Sequence, residues 1–214
     1  LTVTASTISG NAAGRDGGGI NNLLASLTLT TSTVSGNTAG RFGGGVAGLG
    51  GRGFFRRYTA RVSLTEATVV GNRAPSGGGI SNRADAQLTL TNSIVADSPA
   101  GGDVFRSGEA GETLTLRGGN LVADGSLTGT GVINADPRLG PLADNGGPTR
   151  THALLPGSPA LDAGDNGRIP PGATTDQRGG PFARVAGTRV DLGAVEAQAL
   201  NLVVTTAADE ADPG

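Results

Sequence analysis

The chain predicts an all-β fold: a right-handed single-stranded parallel β-helix with an irregular C-terminal cap. Three observations carry this. One block recurs along the first half, reading LTVTASTISGN at 1–11, LTLTTSTVSGN at 27–37, VSLTEATVVGN at 62–72 and LTLTNSIVADS at 88–98, with a degenerate copy, LTLRGGNLVAD, at 114–124. Inside each block apolar residues alternate with Thr. A glycine-rich signal, GGGI at 17–20, GGGV at 43–46, GGGI at 77–80 and GGDV at 101–104, follows the first four blocks at nearly constant separation.

The blocks start at 1, 27, 62, 88 and 114, so the unit is 26 residues and the second carries nine more. The columns share one chemistry. Leu1, Leu27, Val62, Leu88 and Leu114 form the first, and Val3, Leu29, Leu64, Leu90 and Leu116 the third. Thr2, Thr28, Ser63, Thr89 and Thr115 lie between them. Such period-two alternation marks strands with one buried face. Ile8, Val34, Val69, Val95 and Leu121 form a further inward column, and Ile20, Val46, Ile80 and Val104 another. β-branched residues and Gly-Asn breaks argue against helices. A short unit with repeated inward columns suits coils stacked about 4.8 Å apart, with aliphatic ladders inside and Thr ladders outside.

Asn11, Asn37 and Asn72 each follow a glycine, Gly10, Gly36 and Gly71. Gly-Asn suits a sharp corner, and stacked Asn amides can bond along a ladder, so these three are candidate structural ladder residues. The glycine triplets lack the Lys-Ser/Thr of a phosphate loop and read as sites of close packing between coils.

The coils are expected over 1–135, with the insertion at about 50–60. Residues 136–196 read as the cap of the same domain, rich in Pro (137, 141, 148, 156, 159, 170 and 171), which cannot donate to a strand ladder. Leu139, Leu142, Leu154, Leu155 and Leu161 are expected to cover the open end of the aliphatic core, and 190–195 to form a last strand. Residues 197–214 read as a linker or the start of a following unit. The chain opens in the middle of a pattern without Met, as expected for part of a longer multi-unit protein.

Composition narrows function. Cys is absent, His152 is the single His, and all 16 basic residues are Arg. Thiol chemistry and Cys or poly-His metal sites are thereby excluded, and no cofactor or metal is expected. A net charge of −2 gives no nucleic-acid signature, and no apolar run approaches the roughly 18 residues of a membrane-spanning helix.

The GGGI and S-G-N corners are similar to the repeats of polymorphic outer membrane proteins, without their Phe. The stretch DPRLGPLADNGGPTRTHALLPGSPALDAGD at 136–165, with DQRGG at 176–180 and VDLGAVE at 190–196, resembles the bacterial choice-of-anchor Q domain. That resemblance covers about 1–196. It implies a pectin-lyase-like β-helix at the cell surface or secreted, in a bacterial protein with one of several anchors. NLVVTTAADEADPG at 201–214 resembles the opening strand of another β-helix unit, of the type marked by a CSLREA motif.

Parallel β-helices include pectin lyases and polygalacturonases. Hydrolysis there needs two carboxylates roughly 5–10 Å apart, hence acids on adjacent coils at matching columns. No such stack is visible: Asp16 aligns with Phe42, Glu66 with Ala5, Thr31 and Asn92, and Asp97 with the corner glycines, while Asp103 falls in a glycine column. No catalytic residue is therefore assigned. His152 lacks a nucleophile at recognisable spacing and reads as a structural hydrogen-bonding residue. The run 162–167, DAGDNG, lacks the closing Glu of a calcium loop and reads as turn chemistry.

The insertion is the most individual feature. It holds Arg52, Phe54, Phe55, Arg56, Arg57 and the only Tyr, Tyr58. Inserted loops on regular scaffolds carry recognition, and Arg with aromatics favours partner contacts or sugar stacking. These six are the candidate partner- or glycan-binding residues, for a polysaccharide or a host or cell-surface protein. The expected role is non-enzymatic: adhesion, display or spacing. The alternative is a polysaccharide lyase or glycoside hydrolase of the parallel β-helix type.

Overall fold

The computed structural model describes residues 1–53 and 56–198. Among these residues the chain is all-β, with a single 3-10 turn at Asn166–Arg168 and no α-helix. Among the described residues no helix is long and apolar enough to cross a membrane.

Strands Thr2–Thr4, Ser26–Thr30, Arg61–Thr65, Gln87–Ala96 and Thr113–Val122 pair in parallel, in that order. The register follows the repeat: Leu29 faces Leu64, and Leu64 faces Leu90. A second parallel ladder joins Thr7–Ser9, Thr33–Ser35, Thr68–Val70 and the later half of Gln87–Ala96. Because Gln87–Ala96 belongs to both ladders, they form one curled nine-stranded sheet. Ile20–Leu23, Val46–Leu49, Ile80–Arg83 and Val104–Arg106 build a separate four-stranded parallel sheet.

The two ladders of the curled sheet meet at corners occupied by Ala5, Thr31, Glu66 and Asn92, at φ of 46, 46, 52 and 47°. Left-handed backbone disfavours side chains bearing Cβ. Serines offset the cost here. Ser6, Ser32 and Ser93 donate to the carbonyls of Thr4, Thr30 and Thr91 at 2.7, 2.8 and 2.8 Å. Ser32 Oγ also accepts from the amide of Ser6, one repeat away, at 3.2 Å. Polar groups freed by each turn are thus satisfied inside the stack.

Leu27, Leu29, Val34, Val46, Val62, Leu64, Val69, Ile80, Leu88, Leu90 and Val95 are buried in one aliphatic cluster shared by both sheets. Each such side chain contributes about 1.5–3 kcal/mol on burial. Close approach of neighbouring repeats demands glycine at position 44, where a Cβ would meet the Gly78 carbonyl and the Arg73 backbone.

The segment after residue 135 departs from the expected cap. Leu139 and Leu154 do not extend the main aliphatic cluster. They pack on a second one, formed by Val70, Ile94, Ala96 and Leu121 with Ala160 and Leu192. Val70 and Ile94 flank Val69 and Val95, which face the main core, so the second cluster lies on the opposite face of the sheet. The segment reaches every repeat along that face. Thr7 donates to the Arg150 carbonyl, Thr33 Oγ1 to Gln177, Thr68 Oγ1 accepts from the Ala194 amide, and the Asn92 carbonyl accepts from Gly193. The reason lies in the second ladder, whose outward residues change from Thr to aliphatic toward the later repeats and cannot stay in water. Thr33 and Thr68 are consequently buried, whereas Thr2 and Thr115 on the first ladder are exposed.

Candidate functional site

The insertion folds as a β-hairpin. Gly51–Arg52 pairs antiparallel with Arg57–Tyr58, and the Gly53 amide bonds the Arg56 carbonyl at 2.7 Å. Phe54 and Phe55 lie outside the described residues. The hairpin springs from the end of Val46–Leu49. Arg56 is exposed and Tyr58 is 47% exposed. Arg57 Nη1 reaches the buried Asp85 carboxylate at 3.4 Å, which ties the hairpin base to the next repeat. Arg56, Arg57 and Tyr58 therefore stand together on one projecting element.

Asn11, Asn37 and Asn72 bond one to the next. Asn11 Nδ2 donates to Asn37 Oδ1 at 2.9 Å, and Asn37 Nδ2 to Asn72 Oδ1 at 2.9 Å. The amides of Asn11 and Asn37 donate to the same oxygens at 3.0 and 2.9 Å. Asn37 Nδ2 also bonds the Ile8 carbonyl, and Asn72 Nδ2 the Val34 carbonyl.

The structure gathers carboxylates that the sequence columns keep apart. Asp97, Asp103, Asp124 and Asp136 line a cleft of about 380 Å³ with Ser98. The cause is a register shift between Thr91 and Ser93: beyond it Ile94 faces Leu121 and Val95 faces Val122. IVAD at 94–97 then lies over LVAD at 121–124, so Asp97 and Asp124 share a column. The shared VAD, after Ile in one block and Leu in the other, was the available signal, hidden by counting a constant 26 residues. Asp103 and Asp124 brace each other. Asp124 Oδ2 accepts the Asp103 amide at 2.8 Å, and Asp103 Oδ2 accepts the Asp124 amide at 3.0 Å. Their other oxygens accept the amides of Ser98 and Ser126. Burial pushes the Asp103 carboxyl up, while Asp124, against its own partial burial, is held down by bonds from Ser126 and Asp103. Asp97 is raised by burial and by Asp136. The floor pair is committed to backbone amides, and Asp97 and Asp136 are exposed at the rim.

His152 is buried. Desolvation lowers its pKa, so the ring is neutral. The Gly140 carbonyl, 2.8 Å from Nδ1, can only accept, which places the proton on Nδ1 and leaves Nε2 to accept from Ser35 Oγ at 2.9 Å. The ring pins the C-terminal segment to the second ladder. Gln177, from the DQRGG run, spans Thr7, Thr33 and Thr149. Arg184 is buried between Glu66 of the third repeat, at 3.7 Å, and Glu196, at 3.4 Å. Glu196 is raised to about 7, chiefly by burial. None of these groups was singled out by the repeat columns except Glu66, because their partners are distant in sequence. Among the described residues no group of three or more His, Asp or Glu side chains is placed to hold a metal ion.

No protein-family model, curated protein or solved structure matches the chain.

Proposed function

We propose that the chain is a right-handed parallel β-helix module of the choice-of-anchor Q type, displayed on a bacterial surface or secreted, that serves in adhesion. The observation that carries the reading is the hairpin: Arg56 and Tyr58 project from a frame of parallel ladders held in register by the Asn bonds. A paired hairpin spares the cost of ordering a loop on binding, and Arg and Tyr are residue types that dominate contacts. The test is binding of labelled protein to immobilised glycans and extracellular-matrix proteins, with residues 52–58 replaced by a Gly-Ser turn in a second sample. Binding by the parent and a loss of about tenfold or more in the variant are expected. Equal binding by both, or none by the parent, overturns the adhesive reading.

A second reading, a polysaccharide lyase or glycoside hydrolase, draws on Asp97 and Asp136 at the rim of the acidic cleft. It expects soluble polysaccharide to be shortened by the parent and left intact by Asp97→Asn. The commitment of Asp103 and Asp124 to backbone amides makes it the weaker of the two.

A further inference from the structure

The four-stranded sheet carries, on the side away from the aliphatic core, an ordered grid of side chains that the repeat columns did not reveal. Arg83 lies over the Phe42 ring, its guanidinium carbon 3.6 Å from the centroid. Arg41 approaches the same ring at 5.4 Å. Phe105 tilts against Phe42 with centroids 6.0 Å apart. Two cations thus converge on one ring, an arrangement their mutual repulsion opposes. Among the described residues the ion pairs engage Arg57, Arg106, Arg168, Arg178 and Arg184, and no carboxylate of a described residue lies within 4 Å of the Arg41 or Arg83 guanidinium. Burial lowers the Arg83 pKa against the pull of Asp16 and Glu109, and Arg41 lowers it further.

Register extends the grid toward the first repeat. Asp16 bridges to Phe42, which places Arg15 beside Arg41, and Leu23, Leu49 and Arg83 follow one another across three strands. Between them lies a cleft of about 430 Å³, lined by Arg15, Asp16, Asn21, Leu23 and Leu49. Ser81, in register with Phe105, is buried with an unpartnered hydroxyl.

We infer that this face binds an anionic glycan, with Arg41 and Arg83 taking a sulfate or carboxylate substituent. The chemistry fits term by term. Guanidinium groups pair with oxyanions through fixed forks. Asp16 and Asn21 offer an acceptor and an amide for sugar hydroxyls. Leu23, Leu49 and Phe105 offer apolar contact for the faces of sugar rings. Arg15 and Arg41, neighbours at the strand spacing of about 4.8 Å, suit two adjacent charges of a polymer laid across the strands. The inference rests on reading the chain as a binding module but uses a surface separate from the hairpin tip.

The test is affinity electrophoresis of the intact chain in native gels containing dextran sulfate, polygalacturonate, neutral dextran or single-stranded oligothymidylate. Retardation by one or both anionic glycans and not by neutral dextran is expected. It should weaken as salt rises, because Arg41 is exposed and Arg83 only half-buried. The two anionic gels separate sulfate from carboxylate. Arg41→Gln, at an exposed position, should weaken binding by about tenfold, and Arg83→Gln by at least as much. Circular dichroism and melting of each variant separate lost binding from lost fold. Free migration in both anionic gels, equal retardation by oligothymidylate, or full retardation of a folded Arg41→Gln overturns the inference. The Gly-Ser hairpin variant in the same gels keeps the two sites apart. Loss there with Arg41→Gln unaffected refutes this face and spares the adhesive hairpin, and the opposite pattern spares this face alone.

Discussion

Replacement of Asn37 by Ala tests whether the Asn bonds hold the repeats together. Asn37 is fully buried, and its side chain makes four hydrogen bonds. Two are accepted from Asn11, which is exposed and can turn to water instead. The other two are donated to the Ile8 carbonyl and Asn72 Oδ1, which lie under the corner. Asn72 Oδ1 keeps the Asn37 amide at 2.9 Å, so its loss is partial. A buried group left unpaired costs about 1–3 kcal/mol, and a bond lost with a remaining partner about 1 kcal/mol. Asn37→Ala should therefore cost about 2–4 kcal/mol, or a fall in Tm of roughly 5–12 °C for a chain of this size. Asn72→Ala should cost as much, since Asn72 Nδ2 serves Val34 and Val70 and its oxygen serves Asn37 twice. Asn11→Ala, at the exposed end, should cost under about 1 kcal/mol. Urea titration followed by circular dichroism, with unchanged slopes, reads the differences. Equal losses at Asn11 and Asn37 would refute the reasoning, because burial of the amide is its whole basis.

Two further outcomes follow from the packing. Glu196 carries a folded-state pKa of about 7 against an ordinary 4.5, so its protonated form favours the fold. Its stabilising effect is full below about pH 4.5 and is lost as pH rises to about 7, a change on the order of 3 kcal/mol. Glu196→Gln removes that slope, so the stability difference between parent and variant should move in the variant's favour between pH 5 and 8 in urea melts. A difference independent of pH speaks against it. Gly44→Ala should prevent folding or cost more than about 3 kcal/mol, since its Cβ meets the Gly78 carbonyl and the Arg73 backbone, neither of which can swing aside. Gly36→Ala, whose Cβ meets nothing within 4 Å, suffers only the penalty of left-handed backbone, about 1–2 kcal/mol. Thermal melts that rank the two in reverse would contradict the close approach of the repeats.

The parallel register was legible because it is local information repeated. Leu29, Leu64 and Leu90 occupy one column of the sequence and face each other in the sheet, since the recurring block and its period-two alternation leave no other pairing that buries every Leu. The Asn positions were legible for the same reason. The corners were only half legible: Gly36 and Gly71 are visible as glycines, but Thr31 and Glu66 adopt left-handed backbone with no glycine to announce it. The second hydrophobic cluster was not legible, because Val70 and Ile94 read as ordinary strand residues until the C-terminal segment is laid over them. The hairpin residues could be named from the insertion alone, but the ion pair that seats them, Arg57 to Asp85, could not.

By itself, then, the sequence determined which residues point inward through the first four repeats, because periodicity is written into each, but it put Leu121 inward where the register shift turns Val122 to the core and Leu121 to the opposite face. Tertiary structure alone decided where the C-terminal segment lies, that one register shift brings Asp97 over Asp124, and that Arg41 and Arg83 meet on Phe42. Those outcomes depend on contacts between residues that share no period, and only the burial and charge balance of the whole chain selects among them.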